Sequence, residues 1–280
     1  MIDLDLRSCE LCPRLCRVNR EEKPGACGCS ARLLAARAAL HFGEEPCISG
    51  AEGSGTVFFS GCNLHCVFCQ NHKISRERYG RELRAERLAD IFRELEAKGA
   101  NNINLVTPTP WVTEILKALE LYRPKVPVLY NTSGYERVEV LRALEGLVDV
   151  WLPDYKYADS ALAARFSGAA NYPEVARAAI REMYRQSGNL RVNAEGKAVS
   201  GVMIRHLVLP LHLKNSFAVL EEIAEEYGTE QYVSLMFQYT PFRETRYPEL
   251  NRSLTARERK RAEDYFLRLG FRNGYIQEAD

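Results

Sequence analysis

The sequence predicts an α/β fold: an incomplete (β/α)6 barrel over residues 51–280, preceded by an irregular cysteine-rich appendage over residues 1–50. Three observations carry this. Six short apolar segments are each followed by a segment of helical periodicity, the pattern of parallel β/α units. Polar residues (Asn63, Thr107, Asn131, Asp154 and Gln238) come directly after the strand ends, where parallel barrels carry their chemistry. All nine cysteines lie within the first 69 residues, and the part before residue 50 has no regular period.

The elements follow in order. Thr56–Phe59 reads as the first strand, ending at Ser60-Gly61. Leu88, Ile91, Phe92 and Leu95 recur at helical spacing within 84–98. Ile103–Val106 is a second strand, with a helix near 112–122 after Thr107-Pro108-Thr109-Pro110. Strands at 126–129 and 148–152 come next, the first followed by a helix near 136–144 and the second by helices near 158–166 and 173–186. Residues 203–209 and 232–237 complete the six, with a helix at 216–227 between them. The last helix spans about 255–269, with Thr255 as its N-cap. Six units rather than eight leave a barrel with an open side, which suits a large substrate. Gly50–Gly55 is the expected boundary of the appendage. Tyr130, Tyr135, Tyr155 and Tyr157 fall around two rim loops and either line a cavity or close its mouth.

Composition narrows the function. The 280 residues are 46% apolar and 27% charged, enough for a substantial core and unlike a disordered chain. Lys and Arg total 38 against 37 Asp and Glu, a formal charge of +1, so nothing in the overall charge favours nucleic acid or an anionic membrane. No segment reaches the ~18 apolar residues of a membrane helix, and Asp3, Asp5 and Arg7 interrupt the place of a signal peptide. The chain is read as cytoplasmic. Two other patterns carry no chemistry: Gly53-Ser54-Gly55 precedes a strand, unlike a phosphate loop, and Arg257–Arg261 reads as a solvated helix face.

An odd number of cysteines in two clusters, without an export signal, argues for metal rather than disulfides. Cys62, Cys66 and Cys69 form C-x3-C-x2-C in one loop after the first strand. Structural zinc takes four ligands, whereas three thiolates suit a 4Fe–4S cube with one iron left open. His65 or Cys47 as a fourth ligand is the weaker reading. Cys9, Cys12, Cys16 and Cys27, spaced x2, x3 and x10, supply a second site for another 4Fe–4S cluster or a zinc ion, and Cys29 could stand in for Cys27.

The three-cysteine motif, with Phe68 before its last member and a six-unit β/α chain around it, resembles the radical SAM superfamily. His41–Pro46, Gly53–Thr56, Cys69–Asn71, Tyr130–Tyr135 and Arg205–Pro210 are similar to the branch named after pyruvate formate-lyase activating enzyme, whose substrate is not settled. The resemblance implies S-adenosylmethionine on the open iron, its one-electron cleavage to methionine and a 5′-deoxyadenosyl radical, and hydrogen abstraction from a substrate. It also implies a low-potential electron donor of flavodoxin or ferredoxin type. The substrate it suggests is a protein or peptide, a glycyl radical enzyme among them; a small metabolite or RNA base, or a non-catalytic electron carrier, are the alternatives. By the same resemblance Phe68 packs near the adenine and Asn71 supports the nucleoside. Thr107 stands where the glycine-rich motif for the methionine amino group belongs, a departure from the Gly-Gly-Glu pattern. Asp154 and Lys156 match an Asp-x-Lys near the ribose and methionine, Arg205 pairs the methionine carboxylate or is a buried structural arginine, and Asn131 joins the cofactor-binding set.

Overall fold

A computed structural model describes residues 4–277. In chain order the strands are β1 (Leu33–His41), β2 (Ser54–Phe59), β3 (Arg81–Leu83), β4 (Ile103–Val106), β5 (Val128–Thr132), β6 (Val150–Pro153), β7 (Arg191–Val192), β8 (Ala198–Leu207), β9 (Tyr232–Met236) and β10 (Gly274–Gln277). The helices are α1 (Pro46–Ser49), α2 (His72–Ser75), α3 (Ala85–Ala97), α4 (Val112–Leu121), α5 (Val138–Ala143), α6 (Ser160–Ser167), α7 (Tyr172–Ser187), α8 (Leu213–Tyr227) and α9 (Ala256–Arg268). One mixed sheet runs β10-β9-β8-β6-β5-β4-β2-β1-β3, with β7 on β8. The six expected strands are β2, β4, β5, β6, β8 and β9, neighbours in that order and parallel throughout. β10 adds a further parallel strand beside β9. Thr255 caps α9 in a capping box with Glu258.

Residues 33–41, expected to be irregular, form β1, which pairs antiparallel with β2 from Arg37↔Phe58 to His41↔Ser54. Gly50–Gly55 leads from α1 into β2. At Gly53 the backbone is left-handed (φ +92°) and a Cβ would lie 2.9 Å from the Phe42 ring, so the turn requires glycine.

Strand alternation divides the two faces of the sheet. Tyr130, Trp151, Val202 and Ile204 pack on the covering helices, and Val57, Leu105 and Val128 pack with α3 and α4. On the opposite face Leu129, Val150, Leu152 and Met203 pack against Cys47 and Ile48 of α1. Two residues beyond three of these come Asn131, Asp154 and Arg205, so an apolar layer gives way to a polar one at the carboxyl ends of the strands. No helix among the described residues is long and apolar enough to cross a membrane.

Candidate active site

That polar layer floors a cavity of about 520 Å³, lined by Cys62, Cys66, Cys69, Asn71, Thr107, Asn131, Asp154, Lys156 and Arg205. The volume lies within the ~300–1,000 Å³ of small-molecule sites. Nine of the sequence-chosen residues therefore meet in one place. Phe68 does not line this cavity: it is buried in the core, edge-on to Tyr239 with ring centroids 6.0 Å apart. The four rim tyrosines are buried and also absent from the lining, with Tyr130 against Trp151 and both Tyr135 and Tyr157 against Tyr172. They fill the helix-side core.

The cysteine loop is built to hold thiolates. The Leu64 amide donates to Cys62 Sγ (3.4 Å), Ser167 Oγ donates to Cys66 Sγ (3.0 Å), and Ser75 Oγ lies 3.3 Å from Cys69 Sγ. Burial holds the Cys62 and Cys66 thiols above the usual range, which favours the neutral form until a cation displaces the proton. Among the described residues no group of three or more His, Cys, Asp or Glu side chains is arranged to hold a single metal ion. Cys62, Cys66 and Cys69 would instead each hold one iron of a 4Fe–4S cluster, and the hydrogen-bonding groups at their sulfurs suit that donor set. Neither proposed fourth ligand is at hand: Cys47 sits in the core with Leu129 and Val150, and His65 Nε2 lies 3.0 Å from the Ala26 carbonyl.

The floor is one charge network. Arg205 donates from Nε to Asp154 Oδ1 (3.0 Å), from Nη1 to Glu44 Oε2 (3.1 Å) and from Nη2 to Asn131 Oδ1 (2.6 Å). Lys156 Nζ donates to Asp154 Oδ2 (2.5 Å), and Glu44 Oε1 accepts from Asn104 and Asn131. Most of the Arg205 fork is thus committed to protein acceptors. Burial alone would raise Asp154, but the Lys156 and Arg205 charges overcome it and hold the carboxyl below its ordinary range. Burial holds Glu44 above its ordinary range despite Arg205. Glu45 is buried beside it, with neither carboxylate oxygen hydrogen-bonded among the described residues, and it adds to the field that keeps Arg205 protonated. Thr107 has φ +57°, a left-handed conformation rare for a β-branched residue. The chain thus bends at the end of β4 in a conformation glycine adopts freely, although a threonine occupies the turn.

A second cysteine group lies alongside. Cys9, Cys12, Cys16 and Cys27 line one small void with Arg20, Asn63 and Thr109. Cys29 turns away, its Sγ toward the carbonyls of Cys27 and Ser60 (both 3.7 Å), so Cys27 is the member that lines the void. Cys29 and then the Arg20 charge favour the Cys27 thiolate and hold its pKa below the ordinary thiol range. Arg20 is 1% exposed and has no carboxylate partner among the described residues: it donates to the carbonyls of Ser30 and Pro110 and lies 3.9 Å from Cys9 Sγ. Its guanidinium also lies over the Trp111 ring, 5.0 Å from the centroid, while burial holds the Cys9 and Cys12 thiols above their ordinary range. Asn63 lines this void and directly follows Cys62, so the two cysteine groups are neighbours.

A family model described as "Radical SAM superfamily" matches residues 56–187, a span that begins in β2 and includes the cysteine loop. The chain belongs to the radical SAM superfamily. It is 32% identical over 266 residues to an uncharacterized protein of Methanocaldococcus jannaschii, covering 91% of this chain and 73% of that one. Among solved structures it is similar in fold to a radical SAM methyltransferase from Sphaerobacter thermophilus (TM-score 0.54, 15% identity, 81% of this chain and 66% of that one). It is also similar to Streptococcus suis SuiB bound to S-adenosylmethionine (TM-score 0.52, 16% identity, 78% and 48%). The chain thus spans just under two thirds of the first of these structures and about half of the second. Membership implies a 4Fe–4S cluster, S-adenosylmethionine and a reductant for this radical SAM chain.

Glu44, Arg37 and His41 also line the cavity, and their functional place was not visible in the sequence. Glu44 and His41 stood in a motif string without a role, and Arg37 lay in a segment with no readable period. The signal that could have found them was the paired carboxylate Glu44-Glu45 just before Pro46, an acidic pair that an otherwise undistinguished loop would not require.

Proposed function

We propose that this protein is an activating-enzyme-like radical SAM oxidoreductase of the cytoplasm that abstracts hydrogen from a protein or peptide, a glycyl radical enzyme being the leading candidate. The observation that carries the reading is the convergence of three hydrogen-bonded thiols on a cavity floored by the Glu44–Arg205–Asp154–Lys156 network. Cys62, Cys66 and Cys69 would hold the 4Fe–4S cluster. Asn71, Thr107, Asn131, Asp154 and Lys156 would orient S-adenosylmethionine, and the buried floor would keep water from the reacting end. When bound, the cluster and cosubstrate supply one-electron cleavage chemistry with hydrogen abstraction. A low-potential donor of flavodoxin or ferredoxin type would deliver the electron.

Cys9, Cys12, Cys16 and Cys27 would form a second thiolate site in the 1–50 appendage, for a 4Fe–4S cluster or zinc. Arg20 supports it for either metal, because its buried charge favours anionic sulfur nearby. Metal analysis of Cys9→Ala tests this: the variant should lose the metal of that site and keep the iron held by Cys62, Cys66 and Cys69. Loss of both together would contradict two independent sites.

The functional test is anaerobic reconstitution, reduction with dithionite and addition of S-adenosylmethionine and a deuterated cell extract, later separated into protein, RNA and small molecules. Deuterium in the 5′-deoxyadenosine, traced to a protein fraction, is the expected result. Label arriving only from small molecules or RNA would move the substrate to that class. Intact cosubstrate beside a reducible cluster would make the protein an electron carrier.

A further inference from the structure

The β1 edge of the cavity carries a charge that the floor does not use. Arg37 and His41 lie on the same face of β1, opposite Phe58 and Ser54 of β2 in the antiparallel register. Both line the cavity that the three cysteines enter. The His41 ring stands edge-on to Phe58, with centroids 5.5 Å apart and planes at 83°. Of the charged residues around the cavity, Glu44, Asp154, Lys156 and Arg205 are joined by ion pairs. Their charges are paired with one another. Arg37 takes part in no ion pair and no side-chain hydrogen bond among the described residues, and it is exposed. A surface arginine on a strand that lacks a second neighbour, as β1 does beyond its pairing of Leu33–Ala35 with β3, usually serves solubility, but this one lies on the cavity face. Its guanidinium fork matches a carboxylate or a phosphate with two parallel hydrogen bonds, and His41, four residues on along the same face of β1, offers a further ring N–H to the cavity.

We propose that Arg37, backed by His41, anchors an anionic group of the peptide substrate, a carboxylate or a phosphate, at the β1 edge of the cavity. The inference rests on the reading of this cavity as the site of hydrogen abstraction, and it narrows the substrate to an acidic or phosphorylated stretch of chain.

Arginine-selective labelling with phenylglyoxal, read peptide by peptide by mass spectrometry on the cluster-loaded protein, tests it. Glutarate and inorganic phosphate are the probe anions, with sodium chloride at matched ionic strength as control. One or both should slow modification of Arg37 at least threefold relative to Arg268, which is exposed on α9 outside the cavity. Protection by glutarate alone assigns a carboxylate, and by phosphate alone a phosphate. Equal labelling with and without either probe overturns the proposal. So does protection by S-adenosylmethionine together with no protection by the probes, which would place Arg37 on the cosubstrate. As a second measurement, Arg37→Gln should raise the KM for any stimulating peptide at least tenfold, and Arg37→Lys should recover part of that; an unchanged KM in Arg37→Gln overturns the proposal. The labelling needs no cosubstrate cleavage, so the two failures differ. An error in the proposed function removes 5′-deoxyadenosine, whereas an error here removes only the protection by anions.

Discussion

Replacing Glu136 with glutamine should make the protein more stable at pH 8 and no more stable at pH 5. Glu136 is buried (1% exposed), and its Oε1 accepts hydrogen bonds from the hydroxyls of Thr109 (2.5 Å) and Thr132. Oε2 has no partner. Burial outweighs those hydroxyls and raises the carboxyl from 4.5 to about 7. Between those two values the folded protein keeps a proton that the unfolded chain has released. The native state then binds more protons, and stability falls as pH rises through this window. At about 1.4 kcal/mol per pH unit, the full loss is roughly 3 kcal/mol. Glutamine keeps an oxygen for both threonines and never ionises, so E136Q escapes the loss. At roughly 2–4 °C per kcal/mol for a chain of this size, E136Q should melt about 5 °C or more above the parent at pH 8. Paired melts from pH 5 to 8 give the difference curve, in which groups common to both proteins cancel. A difference that stays flat across the window would refute the buried, raised carboxyl.

Two other substitutions test the cavity floor and the bend above it. Thr107→Gly should raise stability by roughly 1 kcal/mol, because glycine adopts φ +57° without the Cβ clash that threonine bears; a lower denaturant midpoint would show that the threonine side chain contributes more than its backbone costs. Arg205→Gln leaves the Glu44 and Asp154 carboxylates without their guanidinium and should cost about 3–5 kcal/mol. Adding Glu44→Gln to it should recover part of that loss, and strict additivity of the two single effects would mean that they do not share one network.

What could be read from the sequence was whatever depends on near neighbours. β4 was legible to the residue because an apolar run ends at a Thr-Pro pair, and the cysteine loop because its ligands lie within eight residues. β1 was hidden. Its Ala-rich sequence alternates weakly, and the pairing shifts register between Ala35 and Arg37, so no period of two survives. β10 is four residues long and follows the last helix, too short to separate from a tail. The partners that Arg205 has in the fold were out of reach of the sequence for a related reason. Its acceptor Glu44 is 161 residues away in sequence and arrives on a segment that looked structureless.

That segment explains why the cavity has its form. Strand alternation brings Asn131, Asp154 and Arg205 to one level, but a level holding one arginine, one aspartate and Lys156 carries an excess positive charge in a buried place. Glu44 removes the excess, and it can do so only because β1 and β2 form an antiparallel pair whose connection folds back across the inner face of the sheet. The same connection seats Cys47 and Ile48 on Leu129, Val150 and Met203, filling the apolar layer beneath. The residues that neutralise the floor and those that support it therefore come from one short stretch of chain, Glu44 to Ile48. Its position is fixed by apolar packing on one side and by ion pairing on the other. An arginine held this way by Asp154, Asn131 and Glu44 keeps its orientation without a ligand, so the cavity above it keeps its shape before any cosubstrate enters.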